Sequence, residues 1–225
     1  KLSYILNTKE QNIDTQNLYF IATQKTDTTV VFTAQAAAGK TVEMAYQLGK
    51  NYMLHMQMRV KGMDGLYPAN TTAMDVNWSD RCAQQEKGFT FENRYATLTY
   101  HEVQGGTDKL SETSEKINEN INEQIDWVAF KNQFFSVVMI AKNNFEENSI
   151  MTSIPQEKDS GYLKQYNAKM KTFLDPTGKE ASEFEFYYGP NNFQILQKAQ
   201  KESTFGKDLE MTHLVYLGWW IFRII

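Results

Sequence analysis

Two alternating runs flanking a short turn do most to decide what this chain can fold into. In Thr41–Leu48 the apolar residues are Val42, Met44, Tyr46 and Leu48. Gly49-Lys50-Asn51 follows as a turn. Then Tyr52, Leu54, Met56, Met58 and Val60 alternate against Met53, His55, Gln57 and Arg59. A period of two on both sides of a Gly-containing turn is a β-hairpin pattern. One face is expected to be buried and the other wet, as in an antiparallel sheet. Thr28–Ala34 and Tyr95–His101 read as further strands. Trp127–Ala141 reads as two strand segments joined by a bend near Asn132. Tyr166, Ala168 and Met170 alternate, as do Phe184, Phe186 and Tyr188. This spacing predicts an all-β, mainly antiparallel sandwich rather than a βαβ fold.

Helix signals are few. Ser111–Ile125 places Ile117, Ile121 and Ile125 four apart on a polar background, which is helical spacing. Asn118, Asn120 and Asn122 are poor helix formers within it. After Gly189-Pro190, Asn192–Lys201 puts Phe193, Leu196 and Ala199 on one stripe, with Asn191 or Asn192 as N-cap. Leu209 to Ile225 reads as a terminal helix. These readings divide the 225 residues into a sandwich over 1–190 and a helical element over 191–225. A chain of this length can bury a sizeable core as one domain.

Charge and cysteine content exclude several functions. Lys plus Arg is 23 against 27 for Asp plus Glu, a net charge of −4, so binding of nucleic acid through bulk positive charge is not expected. Cys82 is the single cysteine, which rules out an intrachain disulfide and a multi-cysteine zinc site. Ala38-Gly39-Lys40-Thr41 resembles the end of a phosphate loop. Position 34 is alanine where that motif needs glycine, and a strand follows instead of a helix, so a hairpin turn is expected. His55, His101 and His213 have no metal-ligand spacing and are expected to be surface or structural residues. Glu183 and Glu185 point the same way and suit the wet face of a strand better than paired-carboxylate chemistry. Cys82 has no histidine nearby in sequence. No catalytic, cofactor-binding or metal site is expected.

The chain closes on HLVYLGWWIFRII, His213 to Ile225. The run is shorter than the roughly 17–25 residues that a spanning helix needs. On a helical wheel His213, Tyr216, Trp220 and Arg223 share one side, with Leu214, Leu217, Ile221 and Ile225 on another and Val215, Trp219 and Phe222 beside them. Trp and Tyr favour the membrane–water interface, and Arg can reach lipid phosphates. A helix capping the sandwich core is the competing reading. No targeting segment is visible in Lys1–Asn7, so any export signal is expected upstream.

Trp127-Val128-Ala129-Phe130, followed by Gln133-Phe134-Phe135, is similar to the core of the large periplasmic domain of the YidC/Oxa/Alb family of membrane protein insertases. Tyr188-Gly189-Pro190 and the helix behind it resemble that family's Gly-Pro turn. Leu217-Gly218-Trp219-Trp220-Ile221-Phe222 resembles its Gly-Trp segment, which leads into the membrane part. The resemblance implies a β-supersandwich, similar to sugar mutarotases, with short C-terminal α-helices. It implies a Gram-negative inner-membrane protein with this domain in the periplasm. The implied partners are SecDF and the Sec translocon, nascent membrane proteins, and the membrane surface through the C-terminal helix. Tyr216, Trp219, Trp220, Phe222 and Arg223 would couple domain to membrane. The family's polar groove and substrate-receiving arginine lie in membrane helices outside this chain.

Two functional classes are therefore expected. The first is a non-enzymatic docking and positioning domain of an insertase. The second is a carbohydrate-binding or carbohydrate-active sandwich, motivated by the mutarotase likeness and by the many aromatics. Mutarotase chemistry needs an acid and a base across one cleft, and His55 and His101 carry no motif for it.

Overall fold

The computed structural model describes residues 1–112 and 115–215. Numbered along the chain, its strands form one fifteen-stranded antiparallel sheet that curls over on itself into two halves, sheet one and sheet two. Sheet one runs β2 (Asn12–Asp14), β1 (Leu2–Asn7), β7 (Ala73–Ala83), β14 (Tyr162–Phe173), β13 (Ser149–Pro155) and β10 (Ile117–Ile121). Sheet two runs β9 (Gly106–Lys109), β8 (Thr97–Glu102), β11 (Ile125–Lys131), β12 (Phe135–Phe145), β15 (Ser182–Pro190), β6 (Met53–Lys61), β5 (Lys40–Leu48), β4 (Thr29–Ala37) and β3 (Phe20–Lys25). The sheets join where Phe145 of β12 lies opposite Thr172 of β14. Two α-helices are described, the five-residue α1 (Phe89–Asn93) and α2 (Phe193–Glu202). The fold is the expected mainly antiparallel sandwich with a few short helices.

Why the sheets stack is visible in β11. Its sequence IDWVAFK is nearly all apolar, and its first six residues are buried. Such a run suits a strand covered on both faces. Val128 and Phe130 point into the core between the sheets, with Met139 and Ala141 of β12 and Phe184 and Phe186 of β15. There Phe130 stacks on Trp78 of β7 at 3.9 Å and on Tyr166 of β14 at 5.3 Å. Trp127 and Ala129 point the other way, with Val138, Ile140 and Tyr187, toward Leu196 and Ala199 of α2. Sheet two is thus the middle of three layers.

The expected hairpin forms, with Val42 against Val60 and Met44 against Met58. Its turn is one residue longer than expected. Asn51 and Tyr52 both have positive φ, and the strand resumes at Met53. Tyr52 is therefore exposed rather than inward, while Met53, expected on the polar face, is buried against the outer layer. Gly39, at φ +71, makes the turn between β4 and β5, so the phosphate-loop likeness is a hairpin, as expected.

One helix expected from sequence is a strand, and the described start of another is not helical. Ile117–Ile121 is β10, paired with β13 from Ile117 opposite Ser153 to Ile121 opposite Ser149. A spacing of four satisfies two strand pleats as well as one helical turn, and pairing with β13 decides for the strand. The terminal helix does not start at Leu209. Glu210 takes a left-handed conformation, φ 44°, and only a short 3-10 turn, Met211–Leu214, follows. Residues 216–225 lie outside the described residues.

Phe130→Ala tests the inter-sheet stack. It is expected to lower the unfolding free energy by about 3–5 kcal/mol, measured by urea denaturation at neutral pH. A loss below about 1 kcal/mol would show that the ring is not part of a tight core.

Candidate functional site

The outer face of sheet two carries the densest polar constellation, and one segment organises it. α2 starts at Asn192, whose side chain accepts from the Ile195 N–H at 3.1 Å, and buries Leu196 and Ala199. Beyond α2 the chain turns back, and residues 203–215 run across the sheet as a strap, burying Leu209, Met211 and Leu214 against it.

The strap is fixed at four places. At its start, Glu185 of β15 accepts from the Thr204 N–H at 2.9 Å and hydroxyl at 2.8 Å. The same carboxylate meets His55 Nδ1 of β6 at 3.1 Å. In the middle, Lys207 Nζ donates to Asp126 Oδ1 of β11 at 2.6 Å, to the Ala141 carbonyl at 2.8 Å and to Asn144 Oδ1. Next, the Trp127 indole N–H donates to the Leu209 carbonyl at 2.6 Å. At the end, Glu210 Oε2 gathers the Thr107 hydroxyl at 3.3 Å, His213 Nδ1 at 3.2 Å and His101 Nε2 at 3.6 Å. His101 Nδ1 lies 3.2 Å from Asp126 Oδ2, and the ring stacks on Trp127. A cavity of about 470 Å³ beside this end is lined by His101, Asp126, Asn144, Lys207, Asp208 and Glu210.

Burial pushes the Asp126 carboxyl up, but hydrogen bonds from His101 and Lys207 outweigh it and hold the group below the usual carboxylate range. The buried Cys82 thiol is pushed up to about 12 by burial and by Glu92 and Asp80, so it stays protonated at neutral pH and is a poor nucleophile. Among the described residues no set of three His, Cys, Asp or Glu is placed to hold a metal ion. Glu183 and Glu185 part company. Glu183 bridges Lys142 and Gln57 at the surface, whereas Glu185 is fully buried, contrary to the wet-face expectation, because the strap covers it. His55 lines a cleft of about 650 Å³ between the hairpin and the end of α2.

The motif residues singled out from sequence meet at the other end of the same layer. Phe135 pairs with Pro190 and Ser136 with Gly189 across β12 and β15. Asn132 Oδ1 accepts from the Phe134 and Phe135 N–H groups, shaping the bend that holds Gln133. Asn191 ties the two segments, donating to the Asn132 carbonyl at 2.8 Å and accepting from Ser136 Oγ at 2.6 Å. A Cβ on Gly189 would sit 2.5 Å from the Tyr187 ring, so glycine lets Tyr187 reach the Pro190 carbonyl, 2.7 Å away. Trp127 belongs to the strap's seat. Tyr216, Gly218, Trp219, Trp220, Phe222 and Arg223 lie outside the described residues. Sequence reasoning did not single out Asp126, Thr204, Lys207 or Glu210; Asp126 adjoins a recognised motif, while the others sit in polar chain with no local signal.

Comparison with known proteins decides the family. The model of the YidC periplasmic domain matches residues 1–225. The chain belongs to the YidC periplasmic domain family. It is 43% identical over 223 residues to the Membrane protein insertase YidC of Phocaeicola vulgatus, covering 99% of this chain and 36% of that protein. The proteins of the same name from Bacteroides fragilis and Porphyromonas gingivalis are 39% and 32% identical, over 96% and 95% of this chain and 35% and 34% of theirs. The chain thus spans about a third of the length of the curated relatives it matches. Among solved structures, heparinase III overlaps 84% of this chain and 23% of its own at 11% identity with a TM-score of 0.38, too low to carry an argument. Among the described residues no helix is long and apolar enough to cross a membrane.

Asp126→Asn tests the strap's central anchor. A carboxyl held below its unfolded value of about 3.9 contributes stability that is present above that pH and lost as pH falls through the folded value. Wild-type strap protection is therefore expected to collapse below about pH 4. The variant should lose about 3–5 kcal/mol at neutral pH and much of that acid sensitivity. Hydrogen exchange of residues 205–214 checks both, and an unchanged acid profile would remove Asp126 from this role.

Proposed function

We propose that this domain is a non-catalytic docking and positioning module of a membrane protein insertase that inserts and folds inner-membrane proteins, alone or with the Sec translocon. The reading places it on the periplasmic side of a Gram-negative inner membrane, with SecDF and nascent membrane proteins as partners. The family supports the insertase context. The strap supports the positional role: four polar anchors and three buried apolar side chains hold the chain up to Val215 against the sandwich. Whatever orientation the following segment takes is therefore passed to a rigid body. In this reading residues 1–190 are the sandwich, and residues 191–225 are the coupling element. Tyr216, Trp219, Trp220, Phe222 and Arg223 seat the coupling element in the membrane interface. Aromatic rings and arginine have the amphipathic character that such a layer favours.

Replacing Trp219, Trp220 and Phe222 together by Ser in the full-length protein tests this. Insertion of membrane-protein substrates and growth are expected to fall while the sandwich keeps its near-UV circular dichroism. Normal insertion and growth would sink the coupling role.

A further inference from the structure

Each of the three histidines in the chain touches a carboxylate that holds or belongs to the strap. From this we propose that residues 203–215 are held by a proton-controlled clamp, centred on His101 and tightened by mild acid. The proposal rests on the coupling role argued above and adds its regulation.

The geometry at His101 carries it. Its two ring nitrogens face two different carboxylates, Asp126 Oδ2 at 3.2 Å and Glu210 Oε2 at 3.6 Å. A neutral imidazole donates through one nitrogen only and accepts through the other. With the proton on Nδ1, a lone pair faces Glu210; with it on Nε2, a lone pair faces Asp126. Only the protonated ring presents an N–H toward both carboxylates. The ring is buried, so water compensates poorly for the unmatched pair. His213 Nδ1 meets the same Glu210 oxygen at 3.2 Å, so a second proton there adds to the grip.

The surrounding charge favours the same direction. The cavity is lined by the carboxylates of Asp126, Asp208 and Glu210 against the single lysine Lys207, an excess of two negative charges. Protons on His101 and His213 balance that excess. Thr107 of β9 contributes a neutral hydroxyl. Glu102 adjoins His101 on β8, and its carboxyl is raised by burial and by Asp108, Glu123 and Glu119, so it needs its own control. At the far end His55 meets buried Glu185, with Lys50, Glu183 and Glu202 lining the same cleft. Histidine is the side chain whose ordinary charge change falls between about pH 5 and 8.

The test is hydrogen exchange of the full-length protein in nanodiscs at about pH 5.5 and 7.5, with rates corrected by an unstructured peptide. Protection of residues 205–214, relative to β12, is expected to fall by about three- to tenfold on raising the pH. His101→Gln should abolish most of that change, His213→Gln part of it, and Glu102→Gln none. Equal relative protection at both pH values in the wild type would overturn the clamp without any variant. So would a full response retained in His101→Gln that shows normal β12 protection, or a response lost in Glu102→Gln. Insertion activity is not the readout, so a failed coupling role and a failed clamp give separate results.

Discussion

Burial of β11 and β12 on both faces is the constraint on which the rest of the molecule depends. Each strand sends alternate side chains into two different cores. Val128, Phe130, Met139 and Ala141 close the space between the sheets, and Trp127, Ala129, Val138 and Ile140 form the floor under α2 and the strap. A one-residue slip in this pair would exchange the two sets. Trp127 would then enter a space shaped around Trp78, Phe130 and Tyr166, and the indole would lose the Leu209 carbonyl. Sandwich and C-terminal segment are therefore specified together by one register.

Much of this fold was legible because its strands obey a local rule. The β5–β6 hairpin and the bend near Asn132 follow from alternation and turn residues alone. Where the reading failed, the cause was the third layer or an ambiguous period. Met53 and Glu185 looked like wet-face residues because nothing local reveals that α2 and the strap lie over them. Ile117 and Ile121 share a face in a strand as well as in a helix, and pairing with β13 chose the strand. Over the described residues 209–215 the expected helix is replaced by a left-handed Glu210 and a 3-10 turn, with the Glu210 side chain meeting Thr107, His101 and His213.

The candidate site was legible only where a family motif ran through it. Trp127, Gly189 and Pro190 stood out, and the structure gives each a packing reason. The polar anchors did not stand out, because their partners are remote in sequence. Lys207 reaches Asp126 across 81 residues, and Thr107 reaches Glu210 across 103. No local period encodes such pairs; they exist only once the sheet has brought β8, β9 and β11 beneath the strap.

The junction between the sheets has a mechanical meaning. Sheet one meets sheet two by backbone pairing at Phe145 and Thr172, by the bond from the Glu146 N–H to the Lys171 carbonyl at 2.8 Å, and through side chains across the core. A pull delivered through Val215 enters sheet two directly, by way of Leu209, Lys207 and Glu210, and spreads sideways along its hydrogen-bonded rungs. It reaches sheet one where β12 pairs with β14, and along the short links 146–148 and 122–124 that join strands of the two sheets. Sheet two is thus the first part of the domain to receive a load applied at Val215, and sheet one receives that load at the seam between β12 and β14.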